Sequence, residues 1–202
     1  MASATHIMDY WDEKRSEAFD WRNSLSIPAR LGLSVGVALL TGVLAQIRFH
    51  VPGTPVPVTG QVFAVLLAGI LLGQGYGALS MAFYVTAGAF GLPWFNGLAG
   101  GFAMLAGPTG GYLLGFIPAA ALIGFVADKY PCFRKPIPLT FLMVPAVGII
   151  YLFGAVHYAL YAGVVPAVVM HQAVFPFIIW DVCKALLAAV CAGIILPKNP
   201  YN

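Results

Sequence analysis

The sequence predicts an all-α, polytopic membrane protein, and three observations carry that prediction. Of its 202 residues, 60% are hydrophobic and only 8% are charged, against about 25% charged in an ordinary soluble domain. The few charges are also bunched. Phe49 to Ala127 is a run of 79 residues without Asp, Glu, Lys or Arg, and Pro136 to Trp180 is another of 45. A soluble fold of this size leaves roughly a third of its chain surface in water, which such runs could not tolerate. Finally, the runs divide into stretches near the ~20 residues that a helix needs to cross hydrocarbon. They lack the alternating ten-residue segments of an outer-membrane barrel. The hydrophobicity excludes disorder, the absence of a glycine period excludes collagen, and a net charge of +3 with no basic patch offers no nucleic-acid surface.

Residues 1–28 form an amphipathic or loosely ordered N-terminal segment. Tyr10, Trp11, Phe19 and Trp21 are mixed there with charges of both signs, as in a helix lying on a membrane surface. The first apolar run begins near Leu31, after thirty mixed residues, and reads as a span and not as a cleavable signal. The membrane domain covers 29–197, followed by a tail at 198–202. The first span runs from Ala29 to Ile47. The segment HVPGTPVP at 50–57 carries three prolines in six residues and cannot be helix interior.

A second span runs from Gly60 to about Leu72, and a third from Ala78 to about Phe90, with GQGYG between them. Residues 91–111 are too apolar for an exposed loop and too rich in glycine for a long helix. Irregular backbone at membrane depth needs protein or a cavity around it, so this segment is expected beside a site. The fourth span covers about Tyr112–Ala127 and the fifth about Leu139–Leu160. A short lying or re-entrant helix and a sixth span, about Phe177–Leu196, complete the chain. The expected count is six, with five as the alternative. With the N-terminus in the cytoplasm, eight of the ten Lys and Arg residues fall inside, which makes both termini cytoplasmic.

Two charges stand within the last span. Asp181 and Lys184 each cost on the order of 3 kcal/mol near a helix centre, and their i,i+3 spacing lets them interact. At 1.5 Å per residue from Phe177 they lie about 6 and 10 Å deep, in the outer half, which suits an outward-facing pocket better than a channel. An aspartate accepts hydrogen bonds from ligand N–H groups, while a lysine supplies positive charge for a ligand oxygen. A structural ion pair is the competing reading. The polar groups available nearby are Thr59, Gln61, Gln74, Tyr84, Asn96, Thr109, Tyr112, Tyr151, His157 and Gln172, a sparse set of the kind that orients a ligand in an apolar pocket. Cys132, Cys183 and Cys191 read as small buried hydrophobes. The histidines read as hydrogen-bonded structural residues. No metal motif, nucleophile–base set or phosphate loop is legible, so no cofactor, no metal and no enzymatic activity are expected.

Several segments resemble the BioY family, the membrane-embedded biotin-binding S components of energy-coupling-factor (ECF) transporters. They are PVPVTGQ at 55–61, the stretch Gly73–Gly77 leading to Tyr84, GLPWF at 91–95, GPTGGYLLGF at 107–116, and Asp181-x-x-Lys184. The resemblance is ordered and covers about 170 residues. It implies a six-helix protein of the bacterial cytoplasmic membrane whose outward-facing pocket is closed by the loop between the first two helices. Biotin is then the transported ligand, its ureido ring met by Asp181, Lys184 and Asn96. Tyr84, Tyr112 and Trp94 line or shape the cavity, with Thr59 and Gln61 near it. The implied partners are an EcfT-like coupling protein and two ATP-binding-cassette ATPases, which alone hydrolyse ATP. The expected coupling surface is Gly32, Gly36 and Ala38 on the first helix. The chain departs from the family in lacking an arginine within Gly73–Gly77 and in its long N-terminus. A biotin transporter that works without ATPases, or an S component for another small vitamin, remains open at this point.

Overall fold

The computed structural model describes residues 2–196; the expected tail at 198–202, with Lys198, lies outside them. The N-terminal segment is helical, α1 (Ala2–Ser24). A proline in its first turn opens α2 (Ile27–Leu44), where a missing N–H costs nothing. This helix ends three residues earlier than expected, because the chain turns into β1 (Arg48–Phe49), antiparallel to β2 (Val58–Thr59). Arg48 stands opposite Thr59 and Phe49 opposite Val58, and the proline-rich residues between the strands form the loop.

The next helix, α3 (Gln61–Ala89), is broken at Gly73, whose φ of 75° and ψ of −176° are non-helical. Only glycine occupies that region without strain. The chain doubles back there. Gln61 Nε2 donates to Tyr84 Oη at 2.6 Å, although 23 residues of straight helix would hold them about 35 Å apart. The two arms, 61–72 and 74–89, approach closely at Gly77, where a Cβ would come within 2.9 Å of the Ala68 carbonyl and of Gly69 Cα. The expected second and third spans are therefore the arms of one broken helix.

After an irregular stretch containing α4 (Phe102–Ala106), the bundle continues with α5 (Gly110–Lys129) and a 3-10 turn (Pro131–Arg134). It is completed by α6 (Pro136–Ala162), the short α7 (Pro166–Ala173) and α8 (Phe175–Ile195). Helix α3 packs most extensively on α5, and α5 on α6. Among the described residues, five helices (α2, α3, α5, α6 and α8) are long and apolar enough to cross a membrane. Their outer faces expose Val43, Phe141, Leu160 and Ile179, a distribution that water would penalise and lipid accepts. Cys132 and Cys183 are exposed, contrary to the expectation of burial, and Cys191 is partly so.

The bundle has two unlike ends. At the basic end α1 lies across the helix termini. Arg22 Nη2 donates to Asp128 Oδ1 at 2.8 Å, and Nη1 to the Ile70 carbonyl at 3.3 Å. That carbonyl would bond to residue 74 in an unbroken helix, so Arg22 satisfies an acceptor that the break leaves free. Phe19 is sandwiched between the guanidinium groups of Arg22 and Arg134, 4.2 and 4.4 Å from its centroid. Burial lowers the pKa of Arg134, with Asp128 opposing the shift. Arg15 Nε reaches the Ile194 carbonyl at 3.1 Å, while Trp11 and Trp21 face outward. The opposite, loop end carries residues 45–60, 90–109 and 163–174.

Candidate ligand-binding site

A recess of about 510 Å³, part of it open to solvent, lies at the loop end. Its apolar wall comes from Val56 and Val58 in the loop, Val62 on α3, Leu113 and Phe116 on α5, Ile150 on α6 and Phe177 on α8. Polar groups enter from every side. Thr59 and Gln61 come from the β2–α3 junction, Asn96 from the irregular stretch, and Thr109 and Tyr112 from the start of α5. Tyr151 comes from α6, and Asp181 and Lys184 from α8.

Asp181 is 4% exposed, and both its oxygens are engaged. Lys184 Nζ donates to Oδ1 at 2.7 Å, one helical turn away, and Tyr151 Oη donates to Oδ2 at 2.7 Å. An opposite charge and a hydroxyl thus stand where water would otherwise solvate the carboxylate. The arrangement is not saturated. A carboxylate has about four acceptor sites and an ammonium three donors, so both partners retain capacity toward the recess. The side chain of Lys184 is 17% exposed.

A second hydrogen-bonded chain stands behind the wall. Thr59 Oγ1 donates to Gln61 Oε1 at 2.7 Å, and Tyr84 Oη, the acceptor for Gln61 Nε2, donates to the Trp94 carbonyl at 3.1 Å. Trp94 Nε1 returns a bond to the Tyr84 carbonyl at 2.9 Å, and the rings lie 5.2 Å apart. Tyr84 is completely buried. Tyr84 and Trp94 therefore do not line the recess, as one form of the expectation had it; they fix Gln61 from behind.

Tyr112 does line it, through its ring, while its hydroxyl is donated to the Ala173 carbonyl on α7. That ring fits because residue 154 is glycine: a Cβ there would collide with it. The loop is held over the recess by Thr54 Oγ1, which donates to the Gln172 carbonyl at 2.5 Å and accepts from Val56 N at 3.1 Å. Of the other polar groups noted in the sequence, His157 Nε2 lies 3.0 Å from the Gly107 carbonyl and Gln172 Oε1 accepts from Tyr158 at 2.7 Å. Both are structural. Gln74 lies at the basic end, beside the break in α3.

The small residues of α2 divide. A Cβ on Gly32 or Gly36 would meet nothing within 4 Å, so both stand on an open face. Ala38 is 0% exposed and belongs to the core; it does not share that face. Sequence reasoning noted Tyr151 and Thr109 only as nearby polar groups. The bond from Tyr151 to Asp181 spans 30 residues, and no spacing rule links positions so far apart.

The family model that matches the chain is the BioY family, over residues 16–199. A "Probable biotin transporter BioY" from Methanothermobacter thermautotrophicus is 41% identical over 143 residues, covering 67% of this chain and 91% of the relative. The "Biotin transporter BioY" of Thermotoga maritima is likewise 41% identical, over 142 residues, 70% of this chain and 82% of the relative. The fold is also that of a crystal structure of the S-component for biotin from an ECF-type ABC transporter. The TM-score is 0.75 at 24% identity, covering 84% of this chain and 93% of that one. A bundle of apolar helices, with a polar recess at its loop end and matches over most of its length, leaves one conclusion: the chain is a multi-pass membrane protein that belongs to the BioY family.

Proposed function

We propose that this protein binds biotin in the loop-end recess and serves its uptake across the cytoplasmic membrane of a bacterium, as the substrate-specific component of an ECF-type transporter. The observation that carries this reading is the Asp181–Lys184 pair lining one recess with Asn96, in a chain of this family. Biotin has a bicyclic head with two ureido N–H groups and one ureido oxygen, and a tail ending in a carboxylate. Asp181 accepts from a ureido N–H. Lys184, with donors beyond the one given to Asp181, and the Asn96 amide serve the ureido oxygen. The apolar walls at Val62, Phe116 and Phe177 take the hydrocarbon and thioether parts, while Thr59, Gln61 and Tyr112 shape the remaining surface.

The two arms of α3, counted as separate crossings, give six passes and leave both ends of the membrane domain on one side. Seven of the basic residues (Lys14, Arg15, Arg22, Arg30, Lys129, Arg134 and Lys135) belong to α1, the start of α2 and the α5–α6 junction, which supports a cytoplasmic basic end. The transporter's remaining parts are an EcfT-like membrane coupling protein and two ATPases, which hydrolyse the ATP. The open face of α2 at Gly32 and Gly36 is where a partner helix could approach closely.

The test is purification in detergent, mass spectrometry of the extracted small molecules, and calorimetry with biotin. Co-purified biotin and a one-to-one isotherm are expected. A monodisperse protein that retains no biotin and gives no heat with it refutes the reading. Uptake assayed in cells without ATPase partners then tests the coupling separately.

A further inference from the structure

The recess is electrically balanced before any ligand enters, because Lys184 is paired with Asp181 at 2.7 Å. A ligand that brings a carboxylate adds one negative charge to a site walled by hydrocarbon. Such a charge is costly unless a cation meets it. Among the described residues one further cation stands at this end of the bundle, and it is Arg48.

Its position is fixed by the short ladder. Arg48 pairs directly with Thr59, and directly opposite residues of an antiparallel pair project to the same side. Thr59 lines the recess. The guanidinium crosses to the other wall, where Nη1 donates to Asn96 Oδ1 at 3.4 Å. It packs over Gly97, whose φ is +76° and where any Cβ would collide with it. Arg48 therefore bridges two lining residues, Thr59 and Asn96, at the open side of the recess. Among the described residues it has no carboxylate partner. A guanidinium has five N–H donors in a planar fork, and the single long bond to Asn96 leaves most of them free. The fork matches a carboxylate in the bidentate geometry that makes such pairs strong.

We propose that Arg48 is a specificity-determining residue that binds the carboxylate of the ligand at the mouth of the recess, so that the site selects a monoanionic ligand with its polar head toward Asp181 and its acidic end toward the loop. The proposal rests on the biotin reading above, and its test separates the two. Wild-type protein, Arg48→Gln and Arg48→Lys are each titrated calorimetrically with biotin and with its uncharged methyl ester.

Arg48→Gln is expected to weaken biotin roughly tenfold, as for the loss of a partly exposed hydrogen bond to a charged group. Arg48→Lys should weaken it less, since the charge remains but the fork is lost. The ester should bind all three proteins alike, which also shows that the variants are folded. Raising the ionic strength should weaken biotin binding to the wild type and not to Arg48→Gln. If Arg48→Gln keeps wild-type affinity for biotin, or weakens biotin and ester equally, the proposal is wrong while the biotin reading stands. If the wild type binds neither ligand, the biotin reading fails and takes the proposal with it.

Discussion

Replacing Asp181 with asparagine keeps the shape of the side chain and removes its charge, and the structure predicts two separable losses. The first is stability. Lys184 would be left with its ammonium group beside an amide, in a site where its side chain is only 17% exposed. Breaking a fully buried pair by removing one partner costs about 3–5 kcal/mol. Water in the recess reaches Lys184, so about 2–3 kcal/mol is the reasonable share here. The double variant Asp181→Asn/Lys184→Met removes the orphaned charge as well and should return to within about 1 kcal/mol of the wild type. The second loss is affinity. A ligand N–H bonded to a buried carboxylate is worth roughly 2–4 kcal/mol, which is about a 30- to 1,000-fold weaker biotin complex.

Both variants should show the affinity loss, and only the single variant the stability loss. Calorimetry with biotin and thermal melting of the same detergent preparations measure both. Wild-type affinity in monodisperse Asp181→Asn protein would remove Asp181 from the binding site. A double variant as unstable as the single one would refute the account of the orphaned ammonium group.

Three further outcomes follow from other parts of the molecule. Gly73→Ala should destabilise the protein by about 1–3 kcal/mol from its backbone region alone. The added Cβ, 2.5 Å from Asp128 Oδ2, would also disturb the Arg22 ion pair. Gly75→Ala, with nothing within 4 Å, should be neutral or slightly stabilising, and equal melting temperatures for the two variants would contradict the break at Gly73. Gly36→Leu should keep biotin binding and thermal stability but reduce co-purification with the coupling protein, because its Cβ meets open space; a joint fall in binding and stability would mean that Gly36 packs inside the bundle. Exposed Cys132 at the basic end should react with an impermeant maleimide only after the cells are permeabilised, and a cysteine at exposed Val165 in intact cells; the reverse pattern would invert the orientation.

Most of the helices were legible because apolar runs of spanning length have few alternative structures. The break in α3 was legible less well. The glycines of GQGYG marked a reversal, but not that helix resumes at residue 74, directly after one glycine in an extended, positive-φ conformation. Asp181 and Lys184 were legible because i,i+3 spacing is itself a contact. Tyr84 and Trp94 were expected to line or shape the cavity, and which of the two was not legible, because a motif reports proximity to a site and not which side of the wall a ring occupies. Ala38 could have been judged better from sequence alone. Gly32 and Gly36 share a face at i,i+4, whereas two residues on from Gly36 is a turn of about 200°, toward the core where Ala38 lies. The docking of α1 was beyond sequence reasoning, since its bond from Arg22 goes to a carbonyl freed by the break in another helix.

The way Asp181 is held also bears on how a ligand enters. Its ion pair with Lys184 lies within one helix turn and needs no other element to keep it. The bond from Tyr151 comes from a different helix, α6, and the acceptor sites that these two bonds leave on the carboxylate are open to a ligand N–H without either being broken. A bond added in that way contributes affinity as well as orientation, beside what the apolar walls supply. The helices around the recess are poorly placed to move. A Cβ at Gly111 would collide with α6, and one at Gly154 with the Tyr112 ring, so α5 and α6 are in backbone-close contact beside the site. The loop is held by the two-residue ladder, the Thr54 hydroxyl on Gln172, Arg48 on Asn96, the Phe49–Trp180 ring contact at 4.7 Å, and Val56 and Val58 buried in the core. Residues 45–60 thus cover the recess while anchored to α7, α8 and the irregular stretch, and Arg48 stands in the ladder at their base.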